Sequence, residues 1–176
     1  MNYSYINHDS VASLIKSSAI PGKDYQIVDV RDEDFRGGNI PGAINAPSEQ
    51  RTQETVQALV EKLEGVPKVI FHCTLSQVRG PKNARIYAEA IESRQRNQEQ
   101  PPPSPPPSSP PSRTTTTTPA SSNQNFSPNP FPNHEGEGKQ EVYVLRDGFQ
   151  GWQGLYRDDP KLVENFDERI WKGYSP

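Results

Sequence analysis

A single cysteine, Cys73, among 176 residues excludes an internal disulfide, a metal centre built on several thiolates, and a relay in which a second internal cysteine resolves the first. No apolar run approaches the roughly 20 residues that a membrane-spanning helix needs. Residues Met1 to Asp9 also lack the basic start and hydrophobic stretch of a signal peptide. The expectation is a soluble intracellular protein of the cytoplasm or nucleus, where a working thiol stays reduced. A net charge of -3 leaves no basic stripe, so nucleic acid is not an expected partner. Hydrophobic residues make up only 31% of the chain and prolines number 19, so part of it must lie outside any packed core.

That shortage is local. Twelve of the prolines fall between Pro101 and Pro132, among serines and the run Thr114 to Thr118, with hardly an aliphatic residue. Such a segment cannot offset its own ordering entropy, and residues 97–139 are expected to form a disordered, partly polyproline insertion. One ordered domain is expected, its first part over 1–96 and its last strand and C-terminal helices over 140–176. Ser104, Ser109, Thr118 and Ser127 each precede a proline and would suit a proline-directed kinase. The polyproline character would suit SH3 or WW domains, although a passive insert is the simpler reading.

Outside the insertion, strand and helix patterns alternate. Tyr3 to Ile6 reads as a strand, followed by a helix capped at Asn7 or Asp9 that carries Val11, Leu14 and Ile15. Tyr25 to Val30 reads as a buried strand, Gly37 to Gly42 as a glycine-rich turn and Ala43 to Ala46 as a short strand. Thr52 to Leu63 is helical, Lys68 to His72 a central strand, and Pro81 to about Arg96 a helix whose inner face is Ala84, Ala88 and Ile91. After the insertion come a strand, Glu141 to Leu145, a turn at Asp147-Gly148-Phe149, and a helix from Gln150 to Tyr156 anchored by Trp152. Asp158 to Trp171 is a charged tail that could be helical. Alternation of this kind predicts an α/β fold with a parallel sheet and right-handed crossovers, so the segment Asp29 to Asp34 and the loop after His72 share one sheet edge.

That loop carries the chemistry. An apolar strand ends at Cys73, five residues pass, and Arg79 follows at a helix start marked by Gly80-Pro81. A loop closing from a strand onto a helix turns successive N–H groups inward, and such a nest binds a tetrahedral oxyanion. The same field favours thiolate over thiol, so Cys73 is expected to be a nucleophile with a lowered pKa. Arg79 can hold two oxygens of one anion through its planar fork. The oxyanion loop is then Thr74, Leu75, Ser76, Gln77, Val78 and Arg79. A buried structural cysteine with Arg79 in a surface ion pair is the alternative. His72 could act as a cationic neighbour of the thiol or hydrogen-bond the backbone. Asp29 and Arg31 are expected to brace the loops, and Asp32, Glu33 and Asp34 are candidate general acids or a solvated acidic turn.

Asp29-Val30-Arg31, then Phe35 to Asn45, then Tyr143 to Trp152 resemble the framework motifs of the rhodanese-like superfamily, and with the loop they cover nearly all of the expected ordered chain. The resemblance implies a three-layer domain with a central parallel sheet flanked by helices. Within that superfamily, His72-Cys73 with Ser76 and Arg79-Gly80-Pro81 resembles phosphatases of the cell-division-cycle twenty-five type and the related eukaryotic arsenate reductases. Sulfurtransferases of the superfamily have a loop one residue shorter, so the longer loop implies a larger anion. Those phosphatases carry Glu where this chain has Thr74, which removes one proton donor. Asn39 stands in place of a histidine, with a packing role expected. The zinc-binding cysteines of plant relatives are absent, so no metal is implied.

The resemblance therefore implies a cysteine-dependent, dual-specificity-like tyrosine phosphatase working through phosphocysteine on phosphotyrosine proteins or aryl phosphates, with no resident cofactor. The alternative is an arsenate reductase in which Cys73 binds arsenate and glutathione with glutaredoxin supplies electrons. A non-catalytic binding module and a sulfurtransferase are weaker readings.

Overall fold

The computed structural model describes residues 2–99 and 139–173. Five strands form one all-parallel sheet: β1 (Ser4–Ile6), β2 (Gln26–Asp29), β3 (Ile44–Asn45), β4 (Lys68–His72) and β5 (Glu141–Leu145), in the order β1-β5-β4-β2-β3. β4 is central. Its partners Val28↔Phe71 and Asp29↔His72 on β2, and Phe71↔Val144 on β5, bring the ends of β2 and β4 side by side. Parallel strands buried on both faces read as continuous apolar runs, which is why Val69-Ile70-Phe71 and Val142 to Leu145 were legible.

Helices cover both faces. α2 (Gln53–Lys62) and α3 (Arg79–Glu99) pack over Val28, Val69, Phe71 and Val144 through Val60, Ala84, Tyr87 and Ala88. On the other face α1 (His8–Lys16), α4 (Gly148–Tyr156) and α5 (Glu168–Trp171) cover Ile27, Ile70 and Leu145 with Val11, Phe149, Trp152 and Trp171. This is the expected three-layer arrangement of a central parallel sheet flanked by helices. Among the described residues no helix is long and apolar enough to cross a membrane.

Two local expectations need correction. α3 starts at Arg79, two residues before Pro81, and runs to Glu99, three residues into the segment read as an insertion; an Arg94–Glu64 ion pair ties its polar second half to the end of α2. Residues 100–138 lie outside the described residues, and with them the polyproline reading and Ser104, Ser109, Thr118 and Ser127. The segment from Asp158, expected as a charged tail, contributes to the core: Leu162, Val163 and Trp171 are buried, Trp152 Nε1 donates to the Leu162 carbonyl at 2.9 Å, and Trp171 Nε1 donates to the Gly37 carbonyl at 2.8 Å. Only its last four residues before Lys172 are helical. Asn39 and Glu164 exchange both backbone hydrogen bonds, and the Asn39 amide also donates to the Glu164 carboxylate at 2.7 Å, so Asn39 pins this segment to the glycine turn.

Candidate active site

Cys73 leaves the carboxyl end of β4 with its side chain buried. Its sulfur accepts the Ser76 N–H at 3.2 Å, while the Ser76 hydroxyl accepts the Cys73 N–H at 3.4 Å. This reciprocal pair folds the first half of the loop back over the thiol and holds Ser76 at a φ of 52°, an uncommon left-handed conformation for serine. Gly80 lies directly behind it; a Cβ there would come 3.3 Å from the Ser76 hydroxyl. Leu75, Gln77 and Val78 project outward, and Thr74 and Arg79 are partly buried.

The start of α4 orients the loop from the other side. The Phe149 N–H donates to the Cys73 carbonyl and the Gln150 N–H to the Thr74 carbonyl, both at 2.9 Å. Across a trans peptide the carbonyl and the following N–H point in opposite directions, so the Thr74 and Leu75 amides face away from α4. Gly148 makes this approach possible. A Cβ on it would overlap the Cys73 carbonyl oxygen and lie 2.5 Å from that of Thr74. The sequence shows Asp147-Gly148-Phe149 only as a turn; its docking on the loop backbone is a tertiary contact that no local pattern announces.

Behind the loop, Asp29, Arg31 and His72 form a buried group. Arg31 is fully buried, and its fork donates to both Asp29 oxygens at 2.6–3.0 Å and to the carbonyls of Gly38 and Asp34 at 2.9 and 3.3 Å. Its guanidinium also sits 4.2 Å from the centre of the Phe149 ring. The pair thereby ties β2, the glycine turn and α4 together. His72 Nδ1 lies 3.3 Å from the Cys73 carbonyl, and Nε2 lies 3.6 Å from Asp29. Burial depresses the His72 pKa and outweighs the charge of Asp29, so the ring is neutral at pH 7 and is not the cationic neighbour that the sequence left open.

Arg79 is engaged by the acidic turn. Nη1 donates to Asp32 at 3.0 Å and to Asp34 at 2.8 Å, while Nη2 donates to the second Asp34 oxygen at 2.5 Å and to Thr74 Oγ1 at 3.4 Å. The Thr74 hydroxyl donates a short hydrogen bond to Asp34. Asp32 also accepts the Ser48 hydroxyl at 2.7 Å and the Glu49 N–H at 2.9 Å. The Arg79 hydrogen bonds hold the Asp34 carboxyl far below the usual range, against a smaller opposing effect of burial. At Asp32 burial pushes upward, but the bonds from Glu49, Ser48 and Arg79 together leave a net downward shift. Both are therefore charged partners of Arg79 in this arrangement and hold no proton to donate at neutral pH. Glu33 is exposed on the same turn. Among the described residues no three His, Cys, Asp or Glu side chains gather into a candidate metal site.

A buried thiol, amides turned to one side and a guanidinium within the same loop can together receive a tetrahedral oxyanion. Comparison with known proteins shows what the chain as a whole is similar to. The family profile of the rhodanese-like domain matches residues 12–100. The dual specificity phosphatase ibp1 of Schizosaccharomyces pombe is 28% identical over 161 residues, covering 92% of this chain and 96% of that protein. Arsenical-resistance protein 2 of Saccharomyces cerevisiae is 38% identical over 88 residues, covering 46% of this chain and 65% of its own. Among solved structures, an As-Sb reductase from Leishmania major superposes with a TM-score of 0.63 at 24% identity, covering 92% of this chain and 84% of that one. A yeast protein tyrosine phosphatase of the rhodanese family superposes with a TM-score of 0.61 at 22% identity, covering 98% and 99%. At these identities the two structures speak for the fold.

Proposed function

The chain belongs to the family of rhodanese-like domains, and we propose that within it this protein is a cysteine-dependent phosphatase of dual-specificity type, with Cys73 as nucleophile and Arg79 as the anion-binding cation. The observation that carries this reading is the loop itself: Cys73 buried at the end of the central strand, its sulfur already accepting an amide, and Arg79 at the first residue of α3. Likeness to a dual specificity phosphatase over nearly the whole of both chains supports it.

The thiolate attacks phosphorus, the ester oxygen leaves, and water then releases phosphate from phosphocysteine. Developing charge on the three equatorial oxygens is met by the amides of residues 74–78 and by the Arg79 fork. A phenol leaves more readily than an alkoxide, so aryl phosphates and phosphotyrosine are the expected substrates. Asp29 and Arg31 support the loop from behind, as does the neutral His72.

Arsenate reduction is the second reading, favoured by likeness to arsenical-resistance protein 2 and to the arsenate reductase 2.2 of rice. Arsenate and phosphate are nearly isosteric, and with one cysteine the electrons would have to come from an external thiol such as glutathione with glutaredoxin. Wild type and Cys73→Ser assayed side by side for aryl phosphate hydrolysis and for arsenite formation decide between the two. Phosphate release that depends on Cys73, without arsenite, supports the phosphatase; arsenite formation that depends on Cys73 selects the reductase.

A further inference from the structure

We propose that Asp32 and Asp34 are internal ligands competing for Arg79, so that an oxyanion enters the loop only by exchanging with them, and that the carboxylate released takes up a proton. The inference rests on the reading of the loop as an oxyanion site and adds how that site is loaded. Asp34 meets Nη1 and Nη2 with one oxygen each, at 2.8 and 2.5 Å, which is the two-point geometry a phosphate or arsenate would use. Asp32 adds a third acceptor at 3.0 Å, and Thr74, the residue that follows the thiol, bonds Asp34 rather than pointing at an anion. In this arrangement the cation of the site is already neutralised by two negative groups.

The groups facing the clamp are few. Arg79 comes from α3, Cys73 and Thr74 from the loop, the Ser48 hydroxyl and Glu49 amide from the turn before α2, and Arg31 donates to the Asp34 backbone carbonyl at 3.3 Å. Glu33 lies exposed on the same turn. The Asp34 carboxylate also accepts the Asp32 N–H at 3.0 Å and the Thr74 hydroxyl, but among the described residues Arg79 is the one cation bonded to it, through two hydrogen bonds. When an anion takes Arg79, Asp34 loses those bonds and gains a negative neighbour, and both changes raise its affinity for a proton.

The released group then has a use in turnover. As the Cys73 sulfur forms its bond to phosphorus, the ester bond breaks with its electron pair on oxygen, and the proton on Asp34 passes to that oxygen. Asp34 is again a carboxylate and can return to Arg79 when phosphate departs. A residue that is ionised while paired with Arg79 thus becomes the proton donor once an anion takes its place.

The test uses the full chain in a Cys73→Ser background, which removes the nucleophile, and sulfate as probe, since sulfate neither reacts nor titrates in the carboxylate range. Calorimetry at about pH 5 in buffers of different ionisation enthalpy reads affinity and proton uptake together. The expected result is net proton uptake on sulfate binding. Asp34→Asn should bind sulfate about fivefold tighter than its parent, with the uptake reduced, the size of shift that losing one partly exposed ion pair allows. Asp32→Asn should tighten binding less, because Ser48 and Glu49 also hold Asp32. Equal or weaker binding by Asp34→Asn, or binding without proton uptake, overturns the exchange. Absence of sulfate binding in the parent and in both variants overturns the oxyanion reading itself, and the inference with it.

Discussion

Replacing Gly148 with alanine puts a methyl group into the contact between α4 and the candidate catalytic loop. Two penalties arise, and the structure separates them. Gly148 has a φ of +54°, where an L-residue costs about 1 kcal/mol. The added Cβ would overlap the Cys73 carbonyl oxygen and lie 2.5 Å from that of Thr74, and since both obstacles are backbone, neither can rotate away. Relief requires α4 to withdraw, which breaks the Phe149 and Gln150 hydrogen bonds to those carbonyls, each worth about 1 kcal/mol. The sum is about 3 kcal/mol, or a melting temperature lower by roughly 10 °C. Turnover measured well below that temperature should fall by roughly a hundredfold, the usual loss when an oxyanion donor is misplaced. Gly148→Asn separates the causes: asparagine tolerates positive φ but carries the same Cβ, so it should recover at most about 1 kcal/mol. Thermal melts and aryl phosphate kinetics check both variants. An alanine variant with wild-type stability and turnover would refute the proposed orientation of the loop amides by α4.

Trp171→Ala should cost about 3–5 kcal/mol in urea unfolding, because its ring lies in the core beside Phe149 and its Nε1 holds the Gly37 carbonyl; a cost under about 1 kcal/mol would mean the C-terminal segment does not close the sheet. Asp29→Asn leaves Arg31 buried without its carboxylate and should destabilise by about 3–5 kcal/mol, read from the same unfolding curves. His72 gives stability a pH dependence. Its folded pKa is depressed, so below the ordinary value of about 6.5 the unfolded chain binds a proton that the folded chain refuses, and stability falls as pH drops from there toward the folded pKa. His72→Gln should flatten that window, whose upper edge near pH 6.5 lies above the range where Asp32 and Asp34, with depressed pKa values, begin to lose their own contribution. Arg79→Lys keeps the charge but loses the fork, and turnover should fall by roughly a hundredfold with little change in melting temperature.

What the sequence reveals follows from how local each cause is. The runs Ile27-Val28 and Val69-Ile70-Phe71 are strands because a sheet buried on both faces demands continuous apolar side chains, and that demand is written residue by residue. Helix α2 is legible from Val56, Leu59, Val60 and Leu63, and the Cys73-to-Arg79 spacing fixes the loop. The closing segment is not legible, because Leu162, Val163 and Trp171 are scattered among charged residues and become core only where Gly37, Asn39 and Trp152 meet them. The partner of Arg79 is equally hidden: Asp34 lies 45 residues away, and nothing local distinguishes an acid that will pair with the site's cation from one in a solvated turn. The full length of α3 is hidden for a related reason. Its polar second half carries no apolar stripe beyond Ile91, yet Arg94 is held by Glu64 in the connection between α2 and β4.

Acid quench of the protein during turnover of an aryl phosphate, followed by mass spectrometry of the peptide that contains residue 73, tests the central claim most directly. The account predicts a phosphate adduct on Cys73 that forms within a turnover, decays as free phosphate appears, and is missing from Cys73→Ser. Phosphate release with no adduct on Cys73, or release that survives in Cys73→Ser, would contradict it.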